Sequence, residues 1–71
     1  MIEYLDRPPS GWRVLDVMRS SAGVSDWVAL MVDGPTESWR WRRECWVTIA
    51  GSHISREAAL DALQAMMATR H

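Results

Sequence analysis

A chain of 71 residues forms one domain with a thin core, because a domain of this size buries only about 60% of the surface of its unfolded chain. Hydrophobic residues make up 48% of the chain and charged residues 24%, a globular rather than a disordered balance. The net charge of −1 excludes a global attraction to DNA or to an anionic membrane. We therefore predict a single domain over residues 1–71 and, since a deep substrate pocket hardly fits, no enzyme.

The predicted elements begin after an irregular segment at 1–11, where two prolines, a serine and a glycine disfavour regular structure. β-Branched and aromatic residues then predict strands over 12–20 and 26–34. A third apolar stretch at 38–51 predicts a strand that becomes regular near Glu44. The spacing of these stretches favours a three-stranded antiparallel meander.

Helical periodicity marks the last segment and predicts a helix over 55–69. Ser55 is a suitable N-cap, Glu57 complements the helix dipole, and Ile54 is expected to staple the first turn by packing on Ala59. The apolar side of the helix is formed by Ala59, Leu60, Leu63, Met66 and Met67. The predicted fold class is α+β, with a three-stranded antiparallel sheet packed on one C-terminal helix.

Alternation along the predicted strands divides their apolar residues between two faces. We expect the helix to cover the face that carries Leu15, Val17, Val28, Leu30, Val32, Cys45, Val47 and Ile49. The opposite face is then expected to carry Trp12, Val14, Met18, Trp27, Met31 and Trp46. One helix cannot cover both faces, and a large exposed apolar patch usually marks a contact site. This predicts a protein or nucleoprotein partner, or a homodimer.

The segment ESWRWRRECW at 37–46 extends the same face. Its arginines would surround aromatic anchors, which is the usual anatomy of a protein interface. The predicted partner-binding residues are Trp12, Trp27, Met31, Trp39, Arg40, Trp41, Arg42, Arg43 and Trp46. A nucleic-acid platform is the second choice, with indole rings stacked on bases and arginines on phosphates. A third alternative is that two or three of the tryptophans simply fill the core.

The joint between the third strand and the helix carries a family resemblance. In GSHISREAALDAL at 51–63, a glycine precedes a serine cap, an acidic first turn and an alanine-rich helix. This pattern resembles the AP2 and integrase arm-type DNA-binding domains, whose sheets enter the major groove with strand arginines and tryptophan. The resemblance implies a βββα architecture. It implies DNA binding less directly, because the strand at 26–34 has no basic residue to reach a groove.

In size and in its lack of catalytic motifs, the chain also resembles phage- or mobile-element-encoded inhibitors such as the anti-CRISPR proteins. The two histidines, His53 and His71, have no metal-ligand spacing with Cys45, and the glycines are scattered. We therefore expect no cofactor, metal or catalytic residue. The single cysteine excludes an intramolecular disulfide and indicates a reducing compartment. With no signal-like start and no membrane-length apolar stretch, we expect a cytoplasmic protein without a membrane partner.

Overall fold

A computed structural model describes residues 4–20, 26–34 and 41–68. This part of the chain forms one sheet and one C-terminal helix, so the α+β class is confirmed. The strands are β1 (Tyr4–Leu5), β2 (Arg13–Arg19), β3 (Trp27–Asp33) and β4 (Arg43–Ile49), and the helix is α1 (Arg56–Ala68). The helix packs on one face of the sheet, and the core lies between them.

Within the described residues the sheet has four strands in the order β1-β4-β3-β2, and not the three that the sequence predicts. Strands β2, β3 and β4 form the predicted antiparallel meander. The additional strand β1 runs parallel to β4, with Tyr4 beside Trp46 and Leu5 beside Val47. The prediction that 1–11 is irregular is therefore wrong at residues 4 and 5. A strand of two residues is too short to show an alternating pattern.

Strand β2 contains an irregularity between Val14 and Asp16 that changes which side chains face the helix. Val17 is buried in the core and Val14 packs against it, whereas Leu15 between them is 41% exposed. A bulge places two residues opposite one and so resets the alternation of side chains. The predicted outward position of Val14 and the predicted inward position of Leu15 are therefore wrong.

Strand β3 presents to the helix the face opposite to the one we predicted. Trp27, Ala29 and Met31 belong to the buried core beneath the helix, together with Val47 and Ile49 of β4. Trp27 is only 6% exposed, and its indole Nε1 donates a hydrogen bond to the backbone oxygen of His53, 3.1 Å away. Both faces of this strand are apolar, so alternation alone does not decide between them. The face chosen places small Ala29 between two large side chains, in a core that also contains Ala59 of the helix.

The outer face of the sheet carries Val28, Leu30 and Val32 of β3, which we predicted beneath the helix. In the register, Leu30 pairs with Trp46, Val28 with Met18 and Thr48, and Val32 with Arg13 and Glu44. Val28 and Val32 are nevertheless buried, and Trp46 and Leu30 are half-buried. The outer face is therefore apolar, as expected. Its side chains are much less exposed to solvent than the row of tryptophans that we predicted.

Helix α1 agrees with its prediction to within one residue at the start. Ser55 caps it, since its hydroxyl accepts a hydrogen bond from the Ala58 amide at 3.1 Å. Ala59 and Leu63 are fully buried. The predicted staple is wrong, because Ile54 is 96% exposed and Ala59 packs on the sheet instead. Within the described residues, no helix is long and apolar enough to cross a membrane.

Candidate interaction surface

The nine predicted partner-binding residues fall into three groups. Trp39 and Arg40 lie outside the described residues. Trp27 and Met31 are buried beneath the helix, so placing them on an exposed face was wrong, and neither can reach a partner in the folded state. The remaining five are accessible to different degrees: Trp12, Trp41, Arg42, Arg43 and Trp46.

Trp12 also differs from its predicted position. It is half-buried and packs against the core cluster, which places it on the helix side of the sheet. The guanidinium carbon of Arg43 lies 5.3 Å from the centroid of its ring, within the range of a cation–π contact. Trp12 therefore joins a cluster that also contains the start of β4.

This cluster lies where β2 begins, β3 ends and β4 begins, and we call it the arginine–tryptophan end. It is defined by Trp12, Arg13, Asp33, Gly34, Trp41, Arg42, Arg43 and Glu44. Trp41 is 75% exposed, the most exposed tryptophan among the described residues. A large apolar ring in this position costs solvation free energy in the free protein, which contact with a partner would recover.

Gly34 positions Trp41 through a close backbone approach. Its φ is +107°, a conformation that other residues rarely adopt. A Cβ at this position would lie 2.8 Å from the backbone oxygen of Trp41 and 3.1 Å from the Cα of Arg42. The end of β3 and the start of β4 can therefore approach this closely only because the residue is glycine.

Each arginine of the cluster is oriented by an acceptor of the chain itself. Arg13 donates to the backbone oxygen of Gly34, and Arg43 pairs with the Asp33 carboxylate. Arg42 donates from Nε to Glu44 at 3.0 Å. Such exposed pairs contribute only about 0–1 kcal/mol each to stability. Their main effect is to hold three guanidinium groups in defined positions at this end of the sheet, where three cations meet two carboxylates.

Trp46 lies apart from this cluster, on the outer face of the sheet between Leu30 of β3 and Tyr4 of β1. It remains on the face where we predicted it, together with Met18. Because Trp46 is half-buried, it offers a smaller contact area than Trp41.

Comparison with known proteins finds no matching family model, no matching curated protein and no matching solved structure. The resemblances to AP2 and integrase arm-type domains and to anti-CRISPR proteins therefore stay predictions.

Within 4–20, 26–34 and 41–68, no three side chains of the metal-binding types are grouped so that they could hold a metal ion. Cys45 is partly buried, and burial raises the pKa of its thiol, which lowers the fraction of reactive thiolate. The ring Nε2 of His53 lies 3.0 Å from the backbone oxygen of Ala50, so this histidine holds the loop before the helix.

Sequence patterns missed Arg13, Asp33 and Gly34 as parts of the site. Arg13 is distant in sequence from Trp41, whereas Asp33 and Gly34 lie at the end of the preceding strand. Strand pairing and the close approach at Gly34 bring them to the same end of the sheet. One signal was present, because a glycine that directly ends an apolar strand often marks a left-handed backbone position. The arginines at 42 and 43 were found because they lie in the same short segment as Trp41.

Proposed function

We propose that this chain is a non-enzymatic protein-interaction module that occludes a surface of a larger protein or nucleoprotein complex. A small inhibitor of the kind encoded by phages and mobile elements is the form that its size favours. The observation that carries the proposal is the exposure of Trp41, which is 75% accessible and lies at the same end of the sheet as three arginines held by acceptors of the chain. Tryptophan and arginine are the residue types that most often dominate the binding energy of protein interfaces.

Trp41 is the anchor in this proposal. Its ring would enter an apolar pocket of the partner, while Arg13, Arg42 and Arg43 donate their remaining N–H groups to hydrogen-bond acceptors around the pocket. Because their guanidinium groups already have acceptors, little side-chain freedom is lost on binding. Truncation of such an anchor commonly costs about 2 kcal/mol or more of binding free energy.

The pairing of the arginines favours a protein partner over nucleic acid. Binding to a phosphate backbone needs cations that can neutralise several phosphates at once. Here Arg42 and Arg43 already neutralise Glu44 and Asp33, and the net charge of the whole chain is −1. Nucleic-acid binding by the same residues is the second candidate, since Trp41 could stack on an unpaired base.

The proposal is tested by comparing the wild type with Trp41→Ala as immobilised baits. We expect the wild type to retain a partner from a host lysate and Trp41→Ala to retain at least about tenfold less of it, since the anchor is worth about 2 kcal/mol. Arg43→Ala should also lose the partner. The matched control is Arg7→Ala, which removes an exposed arginine elsewhere and should retain the partner. Equal retention by the wild type and Trp41→Ala would contradict the proposal.

The nucleic-acid alternative has a separate measurement on the same proteins. Fluorescence anisotropy with short single-stranded DNA and RNA should show no appreciable binding at about 0.15 M salt. A steep salt dependence that disappears when Arg13, Arg42 and Arg43 are replaced by alanine would favour nucleic acid instead.

A homodimer through the outer face is part of the same proposal, supported by the apolar side chains of Trp46, Leu30 and Met18. We expect sedimentation equilibrium to give a mass above that of one chain for the wild type. Trp46→Arg should shift this mass toward one chain, because a charge would be buried in the apolar contact. The matched control is Gln64→Arg on the exposed side of the helix. A wild type that stays monomeric at every concentration would reject the dimer.

A further inference from the structure

Among the described residues, strand β2 forms one edge of the sheet, and its pairing partner there is β3, on its inner side. An edge strand of seven residues presents unpaired N–H and C=O groups that can pair with a strand of another chain. The opposite edge is different, because β1 has only two residues. The outer side of β2 is therefore the longer free edge in the described sheet.

The backbone direction along β2 shows which groups point outward. The Ser20 amide donates to the backbone oxygen of Asp26 at 3.0 Å, so residue 20 turns its backbone groups toward the neighbouring chain segment. In an antiparallel pair these directions alternate along the strand. Val17 and Arg19 therefore turn their N–H and C=O groups away from β3, and Val17 is central in the strand.

Both outward groups of Val17 are already occupied by side chains. Its N–H donates to Oδ1 of Asp16 at 2.8 Å, and its oxygen accepts from Nε of Arg56 at 3.0 Å. Arg56 also donates from Nη2 to the same Asp16 oxygen at 3.1 Å. The carboxylate, the guanidinium and the peptide groups thus form a closed ring of hydrogen bonds, the Asp16–Arg56 clamp.

We infer that the Asp16–Arg56 clamp closes the outer edge of β2 against strand pairing with a second copy of this chain. A second copy is the occupant for which the edge is suited, because two identical edges can pair antiparallel about a two-fold axis. The helix supplies the clamp, since Arg56 is its first residue and Ser55 caps it. The bulge before Asp16 further disturbs the outer edge.

The composition of the clamp agrees with this role. Arg56, and after it the Val17 amide, hold the pKa of the Asp16 carboxyl below its ordinary value, because both donate hydrogen bonds to the charged form. The side chains of Asp16 and Arg56 are each about half exposed. An ion pair at such a position contributes little to stability. The main effect of the Asp16–Arg56 pair is to occupy the outward N–H and C=O groups of Val17.

The test removes each of the two side chains of the clamp in turn. Arg56→Gln and Asp16→Ala should each strengthen self-association by about tenfold or more in sedimentation experiments. The Arg19 amide should exchange with deuterium more slowly as protein concentration rises, because it would then be paired across the new contact. The controls are Arg7→Gln and Asp61→Ala, which make the same charge changes at exposed positions away from this edge.

A second substitution separates edge pairing from other causes. Adding Arg19→Pro to Arg56→Gln removes an outward N–H that β3 does not use, which an edge strand tolerates. We expect the double variant to return to the self-association of the wild type. Unchanged self-association in both clamp variants, an equal change in the charge controls, or association that persists in the double variant would each overturn the inference. The test is independent of Trp41 and of any foreign partner.

Discussion

Trp27→Ala is expected to destabilise the protein by about 3–5 kcal/mol, the usual cost of deleting a buried aromatic side chain. The ring is 6% exposed and lies in the core beneath the helix. The substitution also leaves the backbone oxygen of His53 without the indole hydrogen bond and removes the ring beneath the Arg19 guanidinium, 4.7 Å from its centroid. Since small domains are stable by about 5–15 kcal/mol, much of the folded population would be lost at moderate temperature.

The same substitution at Trp41 is the matched control. Trp41 is 75% exposed, so Trp41→Ala should change the free energy of unfolding by no more than about 0.5 kcal/mol. Urea unfolding followed by circular dichroism measures both variants. Similar losses at the two positions would contradict the placement of Trp27 in the core and of Trp41 on the surface.

Gly34→Ala is the second substitution with a large expected effect. The φ of +107° is strained for alanine, at a cost of about 1–3 kcal/mol. In addition, the new Cβ would lie 2.8 Å from the backbone oxygen of Trp41, so the start of β4 has to move. We expect a lower urea midpoint together with a shifted NMR signal of the Trp41 indole N–H.

Gly11→Ala separates the strain of a positive φ from the close contact that a new Cβ would make. Gly11 also has a positive φ, +84°, but a Cβ there would meet nothing within 4 Å. Its substitution should cost only the backbone term, about 1 kcal/mol, and leave the Trp41 signal unchanged. If the two alanine variants lost equal stability and neither moved the Trp41 signal, the close approach at Gly34 would be refuted.

Sequence patterns predicted the elements of this fold better than their orientation. Helix α1 begins one residue from its predicted start, because a serine cap and apolar helical spacing are both local signals. Strand β1 was missed, because two residues are too few to show an alternating pattern. The strand forms by pairing with β4. Leu15 and Val14 exchanged faces because a bulge depends on the fit between two strands.

The prediction of which face of β3 packs on the helix was wrong, and this changes which residues form the candidate site. Val28, Leu30 and Val32 alternate with Trp27, Ala29 and Met31, and either set could pack beneath a helix. The choice depends on how the helix approaches the sheet, which no single strand encodes. Trp41, Arg42 and Arg43 were predicted at the site because their neighbourhood is local, whereas Asp33 and Arg13 reach them only through tertiary structure.

The pairing of β1 with β4 has a consequence for synthesis of the chain. Residues 4 and 5 are synthesised before β4, and their neighbours are Trp46 and Val47, beyond two complete strands. On the ribosome they must wait until β4 has emerged, so the sheet gains its fourth strand late. After β4 has emerged and before β1 pairs with it, one side of β4 is open, and a nascent chain paused at this stage is exposed to misassembly and to chaperones.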